Sequence, residues 1–350
     1  MSREVLLPTT VVGSYPQPEW LVDRDRLLEH GVPRTRAADV WIVPSQDLKK
    51  AQDDATIVAI HDMEMAGIDI ISDGEICRES YSNHFAMALE GMDDNNPHFI
   101  QSVNETPIAI PRVVSAIRRK SAVEVENARF LKANTRRRTK ITLPGPFTMG
   151  QQSKNEFYAT DEEMALAFAD AINQEVREVA ATGIDVIQLD EPWLRKAPAA
   201  AERYAARAID RAIAGLNGSA TTAVHLCFGY GALVTKDKPK HYSFLEQLAD
   251  TQIDQVSVEA AQPSVDLQFL TALAPKTVIL GVLDLSHERV ETAEEVAARI
   301  RAALKFVPAE RLIAAPDCGM KYLSRRAAFG KLCALAQGAA IVRRELTGSA

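Results

Sequence analysis

Residues 160–192 read TDEEMALAFADAINQEVREVAATGIDVIQLDEP. Thr160 stands where a helix N-cap belongs, and three acidic residues follow in the first turn, which suits the positive end of a helix dipole. Apolar residues then recur with helical spacing through Asp161–Thr182, and Gly183 stands where such a helix ends. The run Asp185–Leu189 is rich in β-branched residues and stops at the acidic turn Asp190-Glu191-Pro192. A helix, a glycine, a short buried strand and a polar turn form one unit of a parallel α/β sheet.

The same unit recurs on both sides of this stretch. Upstream lie the β-runs Thr9–Gly13, Ile68–Ser72 and Thr139–Leu143, with a helical pattern over Asp47–Ala66 that ends at Gly67. Downstream lie Thr222–Cys227, Gln255–Glu259, Thr277–Val282 and Leu312–Ala315. Helical patterns cover Ala199–Leu216, Tyr242–Asp250, Ala293–Leu304 and about Arg325–Arg344. Eight such units predict a single (β/α)8 TIM barrel over residues 1–350. An open doubly wound sheet is the other arrangement of alternating units, but no Gly-x-Gly-x-x-Gly turn follows the first run. Residues Pro107–Thr135 break the alternation. Ile-Ala-Ile-Pro-Arg-Val-Val and then Ala-Val-Glu-Val read as a β-hairpin followed by a short helix, inserted between units two and three over about residues 95–138.

Composition narrows the function. Hydrophobic residues make up 47% and charged residues 25%, enough apolar material for one large core. Forty basic against forty-seven acidic residues give a net charge of −7, which argues against general nucleic-acid binding. No apolar run is long enough for a membrane span, and the first residues lack a signal-peptide pattern, so a cytoplasmic protein is expected. Cys77, Cys227, Cys318 and Cys333 are too few for a disulfide framework in a chain of 350 residues.

In such a barrel, chemistry collects where strands end. Ser14, Asp73, Glu75, Asp190, Glu191, His225, Cys227, Glu259, Asp284, Ser286, His287, Asp317 and Cys318 all follow or close β-runs. His225 and Cys227 are two apart on a strand and therefore share a face. Cys318 sits in Ala-Pro-Asp-Cys-Gly, a turn sequence rather than a helix face. Glu259 follows an apolar strand and would be a costly buried carboxylate unless paired or metal-bound. An imidazole, two thiols and a carboxylate are zinc ligands by type. Zn²⁺ against two thiolates and a carboxylate leaves a net charge of −1. Such a centre suits holding a substrate thiol as thiolate for attack on an activated carbon.

Seven motifs, Val-Gly-Ser-Tyr-Pro-Gln (12–17), Asp-Gly-Glu (73–75), Leu-Pro-Gly-Pro-Phe-Thr (143–148), Gln-Leu-Asp-Glu-Pro (188–192), Val-His-Leu-Cys (224–227), Val-Glu-Ala (258–260) and Pro-Asp-Cys-Gly (316–319), occur in this order. Together they resemble the catalytic domain of cobalamin-independent methionine synthases. The resemblance implies a TIM barrel, Zn²⁺ held by His225, Cys227, Glu259 and Cys318, and methyl transfer to homocysteine. It implies that Ser14 meets the homocysteine carboxylate and that Glu75 and Asp190 meet its ammonium. It also implies an acid–base histidine after the seventh strand. Here that segment reads Asp284-Leu-Ser-His287, with the histidine displaced by one residue relative to the family's Asp-x-His.

A second, N-terminal barrel found in the full-length enzymes has no counterpart in this chain, as in the short core methionine synthases of bacteria and archaea. Folate-associated positions also differ. Gln152 stands for a tryptophan, Lys196 stands for a glutamate, and an Arg-Cys segment is not recognisable. The donor could therefore be methylcobalamin, a corrinoid protein or a simple methylfolate. Two other readings share features: an epoxide:thiol transferase of the coenzyme M type, and a non-catalytic zinc- or thiol-binding protein. Cys333, Cys77 and His61 read as structural residues. Trp193 and His84 stand close enough to the motifs to line the mouth.

Overall fold

The computed structural model describes residues 5–101, 107–230, 232–233 and 238–348. Residues 1–4, 102–106 and 349–350 of the expected domain and insertion lie outside the described residues. Ten strands are described, numbered along the chain: β1 (Ile70–Ser72), β2 (Leu89–Gln101), β3 (Pro107–Arg119), β4 (Arg138–Pro144), β5 (Lys154–Asn155), β6 (Val186–Asp190), β7 (Thr221–Leu226), β8 (Gln255–Val258), β9 (Thr277–Leu283) and β10 (Leu312–Pro316).

Seven of them form a parallel sheet in the order β1-β4-β6-β7-β8-β9-β10. The sheet is curled, because a short segment bridges to both of its edges. Thr9 bridges Ala314 on β10 and Thr10 bridges Ile70 on β1. The backbone bonds Thr10 N to Ala314 O (2.9 Å) and Ile70 N to Thr9 O (3.0 Å) carry those bridges. The expected first strand, Thr9–Gly13, is therefore reduced to two paired residues. Two of its later carbonyls accept from side chains instead: Val12 O from Gln188 Nε2 at 2.9 Å and Gly13 O from Ser72 Oγ at 2.6 Å.

Period two on these strands decides what faces inward. Ile70, Val186, Ala223, Ile279, Ile313 and Ala315 form one small apolar cluster from five strands, which plugs the inside of the curl. The same alternation puts Lys140, Thr142, Gln188, Asp190 and His225 on the inner side nearer the strand ends. The outward residues join the large core against the helices.

The helix Asp161–Ala180 starts as its sequence suggests, with Thr160 Oγ1 accepting from Glu163 N at 3.1 Å. Ser45–Met65 ends before Gly67, which adopts φ +85°. Pro198–Ile213, Ala293–Ala303 and Arg325–Thr347 match the expected helices, whereas Tyr242–Asp250 shortens to Leu245–Ala249. No described helix is long and apolar enough to cross a membrane.

The expected hairpin within Pro107–Thr135 needs correction. β3 pairs antiparallel with β2, not with the Ala122-Val-Glu-Val125 segment. That segment enters the helix Val125–Asn134 instead. The cause is Glu175, whose buried carboxylate accepts from Val123 N (3.0 Å) and Glu124 N (2.6 Å), so those donors cannot join a ladder.

Candidate metal and substrate site

His225, Cys227, Glu259 and Cys318 each offer a ligand atom, and these atoms all lie within 4.8 Å of one another. His225 comes from inside β7, Cys227 from just beyond its end, Glu259 from just beyond β8 and Cys318 from the turn after β10. Cys227 Sγ and Cys318 Sγ are 3.1 Å apart. The hydrogen bond from Cys318 holds Cys227 well below the usual thiol range, with His225 and Lys238 adding to the effect. The same bond pushes Cys318 well above that range.

The imidazole is set up as a ligand. His225 Nδ1 lies 2.9 Å from Ser257 Oγ on the neighbouring strand. Nε2 is buried with no hydrogen-bond partner. A metal-binding histidine is ordinarily fixed in this way through its other nitrogen. Two sulfurs, one orphaned nitrogen and one carboxylate fit a tetrahedral zinc site by donor type and number.

Glu259 is fully buried, which pushes its carboxyl well above the usual range. Its Oε1 accepts from Phe228 N at 2.6 Å, and its Oε2 pairs with Lys238 Nζ. Burial opposes a charge on Lys238, but Glu259 and the two sulfurs hold its ammonium above the usual lysine value. Sequence reading missed Lys238. It lies in a run of lysines that reads as a solvated loop, with nothing local to mark one of them as buried. Asp317 also proves positional: its carboxylate accepts from Ala260 N and Ala261 N at 3.0 Å and Gln262 N at 2.6 Å. It thereby ties the Cys318 turn to the loop after Glu259.

A cavity of about 150 Å³ opens beside this cluster and is lined by Ser14, Glu75, Asp190, His225, Cys227 and Cys318, among others. All three expected substrate contacts therefore meet three of the four candidate ligands. Glu75 is held by a turn with two successive positive φ values, +66° at Gly74 and +53° at Glu75 itself. Its Oε1 accepts from Thr142 Oγ1 at 2.8 Å, while its Oε2 is buried without a partner. Burial raises the Glu75 carboxyl, against the opposing charges of Arg78 and Lys321. Asp190 Oδ1 accepts from Gln188 Nε2 at 2.8 Å, and burial raises its pKa to about 7. Gly319 explains the glycine in Pro-Asp-Cys-Gly, since a Cβ there would sit 2.2 Å from Ser14 Oγ.

Trp193 lines this cavity, as do Tyr81, Tyr230 and Lys196. Glu191, from the Asp-Glu-Pro turn, does not. Its buried carboxylate accepts from Phe147 N (3.0 Å) and Thr148 N (2.7 Å), joining that turn to the Leu-Pro-Gly-Pro-Phe-Thr motif. His84 lies on a separate cavity with Glu79 and Asn83. Cys77 is packed beside Thr56, and burial pushes its thiol up to about 12. His287 and Asp284 pair with each other, Nε2 to Oδ2 at 3.4 Å, and neither lines the cavity. The His287 side chain is 42% exposed, so the structure does not bring the expected acid–base pair to the site.

Fold and cavity together define a TIM-like α/β protein whose strand ends gather thiols, an imidazole and carboxylates. The family described as "Cobalamin-independent synthase, Catalytic domain" matches residues 7–340. The chain is 32% identical to a methionine synthase of Sulfurisphaera tokodaii over 99% of this chain and 95% of that one. It is 32% identical to a methionine synthase of Thermococcus kodakarensis, over 97% and 95%. The solved B12-independent methionine synthase from Shewanella sp. W3-18-1, in complex with selenomethionine, is similar at TM-score 0.89 and 35% identity. That likeness covers 98% of this chain and 100% of that one. This chain belongs to the cobalamin-independent methionine synthase family, a family of methyltransferases.

Proposed function

We propose that this protein transfers a methyl group to the thiol of homocysteine to form methionine, with zinc held by His225, Cys227, Glu259 and Cys318. We read residues 1–350 as a single (β/α)8-barrel domain, working in the cytoplasm, with the β2–β3 ribbon inserted between its second and third units. The observation that carries the proposal is one cavity lined both by Cys227, Cys318 and His225 and by the buried carboxylates Glu75 and Asp190. Zinc at the four-residue cluster would supply a lowered thiol pKa to a substrate sulfur placed against it.

The chain's own groups would bind and orient the rest of the acceptor. Glu75 Oε2 and Asp190 face one ammonium through charge-assisted hydrogen bonds. Ser14, brought close by Gly319, meets the carboxylate. Selenomethionine, bound in the Shewanella relative, carries the same α-amino and carboxylate groups. The aromatic side chains of Trp193 and Tyr81 line the wall and exclude water from the reacting sulfur. For the donor, the family's cobalamin independence favours a methylated folate. A corrinoid-protein partner finds no support among the relatives. The acid–base role read for His287 and Asp284 is not carried into this proposal, because the pair stands off the cavity.

An acceptor of the coenzyme M type has no amine. It would leave the buried Glu75 Oε2 facing no cation, which costs more than the pairing it replaces. A purely zinc-binding role leaves the two inward carboxylates without use. The test is methionine formation by the zinc-loaded protein from homocysteine and a panel of methyl donors that includes methylfolates of different tail length. Turnover with a folate donor is expected. No turnover with any donor, at full zinc occupancy, removes the proposal.

A further inference from the structure

Two buried cations stand behind the cavity, and each reaches one of its carboxylates through a single neutral side chain. Arg78 is fully buried, and its Nη1 donates to Thr142 O at 2.8 Å and Thr142 Oγ1 at 3.0 Å. Thr142 Oγ1 in turn donates to Glu75 Oε1 at 2.8 Å. Lys140, 1% exposed, donates from Nζ to Gln188 Oε1 at 3.0 Å. Gln188 Nε2 donates to Asp190 Oδ1 at 2.8 Å. The two linkers are neighbours, since Thr142 on β4 is in register with Gln188 on β6.

Packing alone does not call for these charges. A buried charge is expensive, and a whole buried ion pair is often replaced by apolar side chains of like volume at no loss of stability. Arg78 is compensated by Asp73 at 3.2 Å and Glu124 at 3.0 Å. Lys140 has no such relief. Its hydrogen-bond partner among the described residues is the neutral Gln188, and burial lowers its ammonium to about 7, with Asp190 and Glu75 as the charges that hold it up. Each linker does two things. It occupies one oxygen of its carboxylate, and it leaves the other oxygen free. Glu75 Oε2 is buried without a partner, and Asp190 Oδ2 has none among the described residues.

We propose that Arg78 and Lys140 are positioning residues for the acceptor's amino group, acting through Thr142 and Gln188 to fix Glu75 and Asp190 with one oxygen each turned to the ammonium. The proposal rests on the reading of Glu75 and Asp190 as ammonium contacts. It makes recognition of the amine separable from binding of the thiol. Gln188 Nε2 also donates to Val12 O at 2.9 Å, so the same linker steadies the loop that carries Ser14.

The test is calorimetric binding of homocysteine and of 4-mercaptobutanoate, its analogue without the amine, to the zinc-loaded protein. The variants are Arg78→Met and Lys140→Met, together with Thr142→Val and Gln188→Leu, which cut the links and leave the cations in place. Each variant that retains its zinc should bind homocysteine about tenfold more weakly, the scale of a misaligned charge-assisted hydrogen bond. The amine-free thiol should stay within about twofold of wild type in Arg78→Met, Lys140→Met and Thr142→Val, and should weaken less than homocysteine in Gln188→Leu, which also loses the bond to Val12 O. Equal weakening of both thiols would show a merely structural role and overturn the proposal. Unchanged homocysteine affinity in Thr142→Val and Gln188→Leu would overturn it as well. A wild-type protein that binds the two thiols alike would sink the acceptor reading itself, and the proposal with it.

Discussion

At the scale of single residues, the site is a set of buried polar groups whose remaining valences point to one place. His225 shows the logic. Ser257 takes Nδ1, burial removes water from Nε2, and the free nitrogen is left beside two thiols and Glu259. Substitution of Ser257 by Ala should weaken zinc binding by about 10–100-fold, the usual effect of removing a group that orients a ligand. Competition with a chromophoric chelator measures this directly, and an unchanged affinity would show that Ser257 does not orient the ring. The candidate ligands were legible in the sequence because strand alternation and turn composition mark them without knowledge of tertiary contacts. Lys238 and Arg78 were not. Each is a cation whose burial depends on a partner distant in the sequence, Glu259 in one case and Glu124 in the other.

At the scale of elements, helix ends and strand ends obey local rules, and departures occur where a side chain takes over a backbone role. Ala293–Ala303 opens with a full capping box, in which Thr292 Oγ1 accepts from Glu295 N and Glu295 Oε2 accepts from Thr292 N. That backbone bond, aided by Arg289, lowers the Glu295 carboxyl to about 2. Thr292→Ala should cost about 1 kcal/mol and lower Tm by about 2 °C in a domain of this size. Because the Glu295 pKa is depressed, its share of the cap is present above the ordinary glutamate range and lost as pH falls toward about 2. Thermal unfolding at neutral pH and at pH 2 tests both statements; equal Tm values for variant and wild type at neutral pH would contradict the first. The misplaced hairpin has the same physical root. Apolar alternation in Ala122–Val125 suggests a strand, yet Glu175, some fifty residues away, captures its N–H groups. Leu89–Gln101 is polar along much of its length and register-shifted against β3, so it carries no strand pattern to read.

At the scale of the whole molecule, the curl of the sheet does the assembling. Ser14, Glu75, Asp190, His225 and Cys318 are spread over some three hundred residues, and parallel strands bring their ends to one cavity. The seven strands of the parallel sheet and their ends could be read along the chain. Which strand ends face the same cavity could not: His287 and Asp284 follow a strand end as the others do, yet they pair with each other off the cavity. The central claim is that the four converging ligands hold zinc and present it to a thiol. X-ray absorption at the zinc edge of the purified protein, with and without homocysteine, tests it most directly. The account predicts two sulfur, one nitrogen and one oxygen neighbour in the free protein, in line with Cys227, Cys318, His225 and Glu259, and one additional sulfur on adding homocysteine. A spectrum with only nitrogen and oxygen neighbours, or a sulfur count indifferent to homocysteine, would contradict it.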